Sequence, residues 1–248
     1  MAIPVPLGIT AIRNMALFLM AGQAAGFWAG ASAAPLPPEP KGPYATLSAG
    51  ASWPQPVSYN DSRLGPLLPI QGTVQADPGF AFDMGVGYDF GSLRSELTVV
   101  HREASVRSSS WSVGVNPVVA STSNPQVTST SVFASLYLDL PVNDRLVPYV
   151  GGGLGYTNVT SSATDLTLGA VSQSFGGGSK GMLGYQAKAG LSYRSSPRSD
   201  LFAEAVYQGS PAVSRDTLDR SALTSWGYRL GVRYRFGALG PSAGLKPR

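Results

Sequence analysis

The chain has 248 residues, no cysteine and a formal net charge of only +4 at pH 7. Charged residues make up 13% of it and glycine contributes 30 residues, which is too little charge for a disordered tail and too much glycine for a helical bundle. The lack of cysteine excludes a disulfide framework and any cysteine-based zinc or redox site. The lysines and arginines are scattered, so no basic stripe follows a nucleic-acid backbone. These features favour one β-rich domain.

The first 33 residues are predicted to form a secretory signal peptide. An uncharged stretch from Met15 to Ala34 ends in the small-residue exit Ala31-Ser32-Ala33. We expect cleavage after Ala33, because a cut one residue later would place Pro35 directly after the scissile bond. A retained membrane anchor is the alternative, since about 19 uncharged residues just span a bilayer.

Three further segments follow the predicted signal. Residues 34–43 are rich in proline, which lacks a ladder donor, and are predicted to be an extended linker. Residues 44–236 are predicted to form the folded domain, and residues 237–248 a short flexible tail.

Period-2 alternation of apolar and polar residues recurs along the folded domain in segments of about ten residues. The pattern is clearest in Phe80–Phe90 and Trp226–Phe236, where aromatic residues stand at both ends of the apolar face and aliphatic residues between them. This arrangement is typical of a lipid-facing band between two interfacial aromatic girdles. The predicted strands are Tyr44–Trp53, Phe80–Phe90, Leu93–Glu103, Ser131–Leu140, Val147–Tyr156, Leu183–Arg194, Leu201–Gln208 and Trp226–Phe236.

The connectors between these strands alternate in length. Short connectors are predicted at Phe90–Leu93, Leu140–Arg145 and Arg194–Asp200. Long polar loops are predicted at Pro54–Gly79, Ala104–Thr130, Thr157–Met182 and Gly209–Ser225. Short turns on one side and long loops on the other are the habit of outer-membrane barrels. The fold class predicted is therefore all-β, an eight-stranded antiparallel up-and-down transmembrane β-barrel, whose closure leaves no unpaired edge in lipid.

Several charged residues fall on the face that alternates with the apolar one. A charge on the lipid side of a barrel costs about 2 to 4 kcal/mol at the midplane, so these side chains are expected to point into the lumen. An eight-stranded barrel is just wide enough to be filled by side chains, which favours a paired network that plugs it, and a narrow selective pore is the rival interpretation. Glu204 is expected to pair with Arg233 and Lys188. The predicted interior charges are Asp83, Arg94, Glu96, Lys188, Glu204, Arg229 and Arg233.

Two other features invite a functional interpretation. His101 is the only histidine, and a lipid-modifying hydrolase would combine it with Glu103 and Ser105, but an interfacial histidine in a barrel wall is the simpler explanation. The glycine runs Gly151–Gly155 and Gly176–Gly181 lack the spacing of a phosphate loop. We expect the first run to admit large inward side chains within a strand and the second to lie in a flexible loop.

The sequence resembles the opacity-type and surface-antigen family of eight-stranded outer-membrane barrels, relatives of the transmembrane barrel of OmpA. The resemblance rests on GFAFDMGVGYDFGSLRSEL (79–97), SLYLDLPVNDRLVPYVGGGLGY (135–156), AKAGLSYRSSPRSDLFAEAVYQ (187–208) and WGYRLGVRYRF (226–236). Tyr234 and Phe236 match the aromatic-ending signal that the barrel-assembly machinery recognises in this family. The family usually ends on that aromatic, whereas here residues 237–248 follow.

The resemblance implies a place in the cell outer membrane and contact with its lipid and lipopolysaccharide. It also implies delivery by periplasmic chaperones to the assembly machinery, with the long loops available to an extracellular partner. The expected role is structural, surface-interacting or adhesive, with no enzymatic activity, cofactor, metal or nucleic-acid partner. A small porin-like pore is the alternative, followed by a lipid-modifying enzyme.

Overall fold

The computed structural model describes residues 41–62, 69–114, 116–121, 126–168, 171–215 and 218–236. The predictions for the signal peptide, for most of the linker and for the tail fall outside these residues. The described chain contains no helix long and apolar enough to cross a membrane. Its strands are β1 (Gly42–Pro54), β2 (Val57–Asp61), β3 (Ile70–Ala76), β4 (Gly79–Asp89), β5 (Leu93–Val113), β6 (Asn116–Ser121), β7 (Gln126–Asp139), β8 (Leu146–Leu168), β9 (Val171–Arg194), β10 (Ser199–Ser210), β11 (Val213–Arg215), β12 (Leu218–Arg220) and β13 (Leu223–Arg235).

Eight of the described strands close into one antiparallel ring. In ring order they are β1, β4, β5, β7, β8, β9, β10 and β13, and β13 returns to pair with β1. The closing seam runs from the pair Tyr44 and Arg235 to the pair Pro54 and Ser225. Each predicted strand overlaps one ring strand, so the predicted all-β barrel is confirmed.

Tight turns join ring strands at one end of the barrel, which we call the turn end. The Asp89 carboxylate accepts a hydrogen bond from the Gly91 amide at 2.9 Å, and Gly91 has a φ of 115°, which favours glycine. In the next turn, the Asn143 side-chain oxygen accepts the amides of Arg145 and Leu146. The predicted short connectors therefore rest on local side-chain hydrogen bonds.

The opposite end, which we call the loop end, differs from the prediction of long loops. β5, β8 and β9 continue well beyond the predicted strands, and β2, β3, β6, β11 and β12 form within the predicted loops. These strands are hydrogen-bonded to one another and to the extended ring strands, as in β12–β2–β3–β5–β6–β8. Residues 176–181, predicted as a flexible loop, belong to β9 because they pair with β8. We call this hydrogen-bonded sheet at the loop end the loop-end wall.

The two faces of the ring differ sharply in polarity. The outer face carries exposed apolar side chains such as Leu230, which is 71% exposed. Aromatic side chains form two outer groups, one at the loop end with Tyr207 and Trp226 in ring contact at 4.6 Å, the other at the turn end with Tyr234 and Phe236 at 5.3 Å. The face thus has the aliphatic band and the two girdles that alternation predicts.

The outer band generates a prediction for Leu230→Arg. Leu230 lies midway between the girdles on β13, so we expect the substitution to lower the free energy of unfolding in phospholipid bilayers by about 2 to 4 kcal/mol. Leu183→Arg is the control, because Leu183 is equally exposed but lies on β9 opposite Tyr156, at the loop-end girdle. Leu183→Arg should lower the free energy of unfolding by only about 0 to 1 kcal/mol. Equal losses for the two variants in urea titrations would contradict a lipid-facing band.

Candidate functional site

The lumen of the ring is lined with buried charged side chains. All seven predicted interior charges lie there, and each is less than a tenth exposed: Asp83, Arg94, Glu96, Lys188, Glu204, Arg229 and Arg233. Their placement follows from strand alternation, because the neighbouring positions on each strand face outward.

The central part of the network joins β4, β9, β10 and β13 across the lumen. The Lys188 ammonium lies 2.8 Å from Glu204 Oε1 and 3.4 Å from Asp83 Oδ2. The other Asp83 oxygen accepts Arg229 Nε at 3.0 Å. The Tyr149 hydroxyl donates to Glu204 at 2.8 Å. Since β4 and β9 are not neighbours in the ring, the contact between Lys188 and Asp83 spans the interior.

A second cluster of charges lies towards the turn end. Asp200 accepts hydrogen bonds from Arg233 at 3.1 Å and from Arg235 at 2.6 Å, and Arg235 also lies 3.5 Å from Asp89. Arg94 and Asp139 form a separate bidentate pair, with Nε and Nη2 donating at 2.7 and 2.8 Å. Paired geometry of this kind is the strong form of a charge-assisted hydrogen bond.

The expected pairing of Glu204 with Arg233 is wrong. In the β10–β13 register Glu204 lies opposite Arg229, and Arg233 lies opposite Asp200. Arg233 therefore bonds to Asp200, nearer the turn end, while Glu204 is held by Lys188 and by the Tyr149 hydroxyl. The expectation for Lys188 agrees with the structure.

Five charged residues of the lumen are absent from the predicted set. Asp89, Asp139, Asp200 and Arg235 stand at the strand ends next to the turns, where alternation is hardest to follow, although Arg235 alternates with two aromatic residues that were assigned outward. Arg102 stands near the predicted end of its strand and donates to Ser129 on the neighbouring strand and to Ser225 across the lumen. Four of them stand at inward positions inside the predicted strands and Asp200 stands one residue before its strand, so strict alternation carried to the strand ends would have found each of them.

Aromatic side chains pack between the charges. The Arg94 guanidinium lies 4.8 Å from the centroid of the Tyr137 ring and 5.0 Å from that of Tyr149, which is within cation–π range. Glycine admits these rings: a Cβ at Gly190 would lie 2.6 Å from the Tyr149 ring, and one at Gly151 would collide with the Tyr137 ring. Gly151 thus admits a large inward side chain within a strand, as expected for the glycine run Gly151–Gly155.

Little space remains inside the network. A cavity of about 10 Å³ lies among its side chains, bordered by Asp83, Arg94, Lys188 and Glu204. That is close to the minimum that holds a single water molecule. The described interior therefore resembles a packed core more than a channel.

His101 lies on the outer face near the loop end. Its Nδ1 is 3.1 Å from Thr130 Oγ1 and its Nε2 is 3.1 Å from Glu103 Oε1, and no hydrogen bond to Ser105 is found among the described contacts. In the described part of the chain no group of three or more histidine, aspartate or glutamate side chains is arranged to hold a metal. The histidine is thus one member of a small polar cluster at the girdle.

An aromatic pair marks the inner side of the loop-end wall. The Tyr59 and Trp111 rings stack with centroids 5.9 Å apart and an interplanar angle of 29°. The Trp111 ring covers Gly72, where a Cβ would collide with it. Burial raises the pKa of the Tyr59 hydroxyl above its usual value, and the nearby Arg220 opposes that rise. The pair is therefore a local packing contact within the wall.

Comparison with known proteins identifies the family of this chain and solved structures of similar fold. The family model described as "Outer membrane protein beta-barrel domain" matches residues 23–236. The structure of outer membrane protein OprG from Pseudomonas aeruginosa is similar, with 14% identity, a TM-score of 0.51, and coverage of 81% of this chain and 99% of that chain. The structure of Neisserial surface protein A has 20% identity and a TM-score of 0.48, with coverage of 78% of this chain and 97% of that chain. The structure of Ail from Yersinia pestis has 13% identity and a TM-score of 0.38, with coverage of 78% of this chain and 99% of that chain. No curated protein matches the sequence.

The geometry predicts which pair of lumen residues is coupled. Glu204→Gln should leave Lys188 short of one carboxylate in a buried site, and breaking such a pair from one side costs about 3 to 5 kcal/mol. Adding Lys188→Met should recover part of that loss, because no orphan charge remains. The measurement is a double-mutant cycle by urea titration in detergent.

Two further cycles serve as controls. The combination of Glu204→Gln with Arg233→Met should show weaker coupling, because Arg233 bonds to Asp200 instead. A cycle on the exposed pair Arg107 and Asp77 should give a coupling energy of about 0.2 to 1 kcal/mol. If the Lys188 cycle is additive, the central ion pair does not exist as described.

Proposed function

Because the chain belongs to the family of outer membrane protein β-barrel domains and so lies in the cell outer membrane, we propose that it acts there as a closed barrel. Its role is structural or surface-interacting, its lumen conducts no ions, and its loop-end wall faces the exterior. The observation that carries the proposal is the ion-pair network across the lumen.

An ion crossing the lumen would have to displace this network. Lys188 bridges Glu204 and Asp83 from opposite sides, and Arg229 holds the second oxygen of Asp83. The cavity beside them, at about 10 Å³, accepts no more than one water molecule. Passage of an ion therefore requires breaking buried ion pairs. This requirement supports a scaffold role for the barrel and disfavours a pore.

The loop-end wall supplies the surface for interaction. Its outer side exposes small polar side chains such as Asn60, Gln71 and Ser108, while its inner side packs Tyr59 against Trp111. Hydrogen bonding between its strands orders the backbone that carries these side chains before any partner arrives. A fixed surface binds at a lower entropic cost than a flexible loop does.

The polar cluster around His101 favours no catalytic role. Acyl transfer needs hydrogen-bond donors aimed at the developing oxyanion. His101 and Thr130 lie opposite each other in the β5–β7 ladder, which engages the backbone donors of these strands with each other. The cluster is therefore proposed to be an interfacial hydrogen-bond network.

Two partners follow from the outer face. Tyr234 and Phe236 are exposed beside each other at the turn end, which supports their role as the signal for the assembly machinery. The aliphatic band between the girdles supports contact with membrane lipid and, in the outer leaflet, with lipopolysaccharide.

We predict that the refolded protein gives no discrete conductance steps in a planar lipid bilayer. The physical reason is the filled lumen. Folding is verified separately by the different gel mobility of boiled and unboiled samples. Reproducible single-channel steps from correctly folded protein would contradict the scaffold and favour the narrow pore.

A second prediction concerns the β8–β9 hairpin. Val159 and Lys180 are register partners, so residues 160–179 can be replaced by a two-residue Asn-Gly turn. The barrel should still fold, with a urea midpoint in detergent close to that of the full chain, because the excision takes from the β7–β8 ring ladder only its last two pairs, at Thr160 and Ser161, besides the β6–β8 pairing of the wall. Cells that display the shortened protein should attach less to an abiotic surface than cells with the full chain, and equal attachment would exclude the hairpin as the interaction surface.

A further inference from the structure

We infer that the small cavity among the lumen charges is a binding site for one water molecule, which joins Glu96 on β5 to Lys188 on β9. The water accepts a hydrogen bond from the Lys188 ammonium and donates one to the Glu96 carboxylate. The site goes beyond the proposed scaffold role, because it assigns a bound molecule to the interior and makes that molecule a member of the ion-pair network.

Glu96 is the exception among the buried carboxylates of the ring. It is 8% exposed, and no lysine or arginine nitrogen of the described residues lies within 4 Å of it. Every other buried carboxylate of the described ring has such a contact: Asp83, Asp89, Asp139, Asp200 and Glu204. An ionised carboxylate in a buried place needs compensating hydrogen bonds.

The hydrogen bonds that Glu96 receives come from neutral groups and reach only one of its oxygens. The Thr98 hydroxyl donates to Oε1 at 2.8 Å, and the Tyr137 hydroxyl lies 3.4 Å from the same oxygen. No hydrogen bond to Oε2 is found among the described contacts. Because both oxygens of an ionised carboxylate are acceptors, Oε2 has room for a further donor.

Lys188 has the complementary spare donor. Its ammonium carries three N–H groups, and the described contacts use two of them, on Glu204 at 2.8 Å and on Asp83 at 3.4 Å. Glu96 is an electrostatic neighbour of Lys188, but no ion pair within 4 Å joins them. A water molecule bridges polar groups at such a separation with hydrogen bonds nearly as good as a direct one.

The cavity has the size and the lining that a buried water requires. Glu96 and Lys188 both border it, its volume is about 10 Å³, and the hydroxyl-bearing residues Thr46 and Ser48 border it as well. No described hydrogen bond uses either of these two hydroxyls, so they offer the water a third partner. Cavities that stay dry are lined by apolar groups, whereas this lining is polar and charged.

The direct test is a crystal structure of the refolded full chain at a resolution that shows ordered water. We expect one density peak in the cavity, at hydrogen-bond distance from both Glu96 Oε2 and Lys188 Nζ. The absence of a peak, or a peak with the short ligand distances of a metal ion, would overturn the water site.

The second test is a double-mutant cycle of Glu96→Gln and Lys188→Met, followed by urea titration in detergent. The two residues should be coupled in the wild-type background. Ser48→Thr adds a methyl group that takes the space of the water, so the coupling energy should fall to less than half in that background. Any strain from the methyl group is common to all four members of the cycle and cancels.

Ser192→Thr is the matched control background, because Ser192 is also a buried lumen serine but does not border the cavity. The coupling should keep its wild-type value there. Three results would overturn the bridge: no coupling in wild type, an undiminished coupling in Ser48→Thr, or an equal loss in both backgrounds. If Ser48→Thr fails to refold, the crystal structure still decides.

Discussion

Every feature of this barrel depends on one constraint: each strand separates lipid from lumen, and a charged side chain has only the lumen to occupy. The cost of a charge at the membrane midplane is about 2 to 4 kcal/mol, which is a large part of the stability of a small domain. The interior therefore gathers charges of both signs and must pair them. Lys188 between Glu204 and Asp83 is the central case, because its ammonium links strands that are not neighbours in the ring.

In the lumen the same aromatic side chains fill space and contact the charged groups. The interior of an eight-stranded barrel is narrow, so a large inward ring on one strand needs glycine on the next, as Tyr149 does at Gly190. The rings then cover guanidinium groups, as Tyr149 and Tyr137 cover Arg94. The guanidinium groups of Arg94 and Arg233 are thus held by aromatic rings as well as by their carboxylate partners, and the space left over is hardly larger than a water molecule.

The two ends of the barrel serve different needs. At the turn end, side-chain hydrogen bonds such as that of Asp89 close the connectors tightly. At the loop end the strands continue past the girdle and pair with further strands, so this end of the barrel is a sheet. The proposed interaction surface is continuous, through β5, with the ring strand that carries Arg94 and Glu96.

The sequence by itself determined the ring of strands, the short turns and the inward direction of the main charges, because a period of two residues assigns each side chain to a face without any knowledge of its neighbours. Only the tertiary structure decided which charges meet: Arg233 bonds to Asp200 instead of Glu204 because partners depend on register, and alternation carries no information on register across strands. It also decided that the polar loops pair as strands and that Arg102 reaches across to Ser225, since such contacts join residues far apart in the chain.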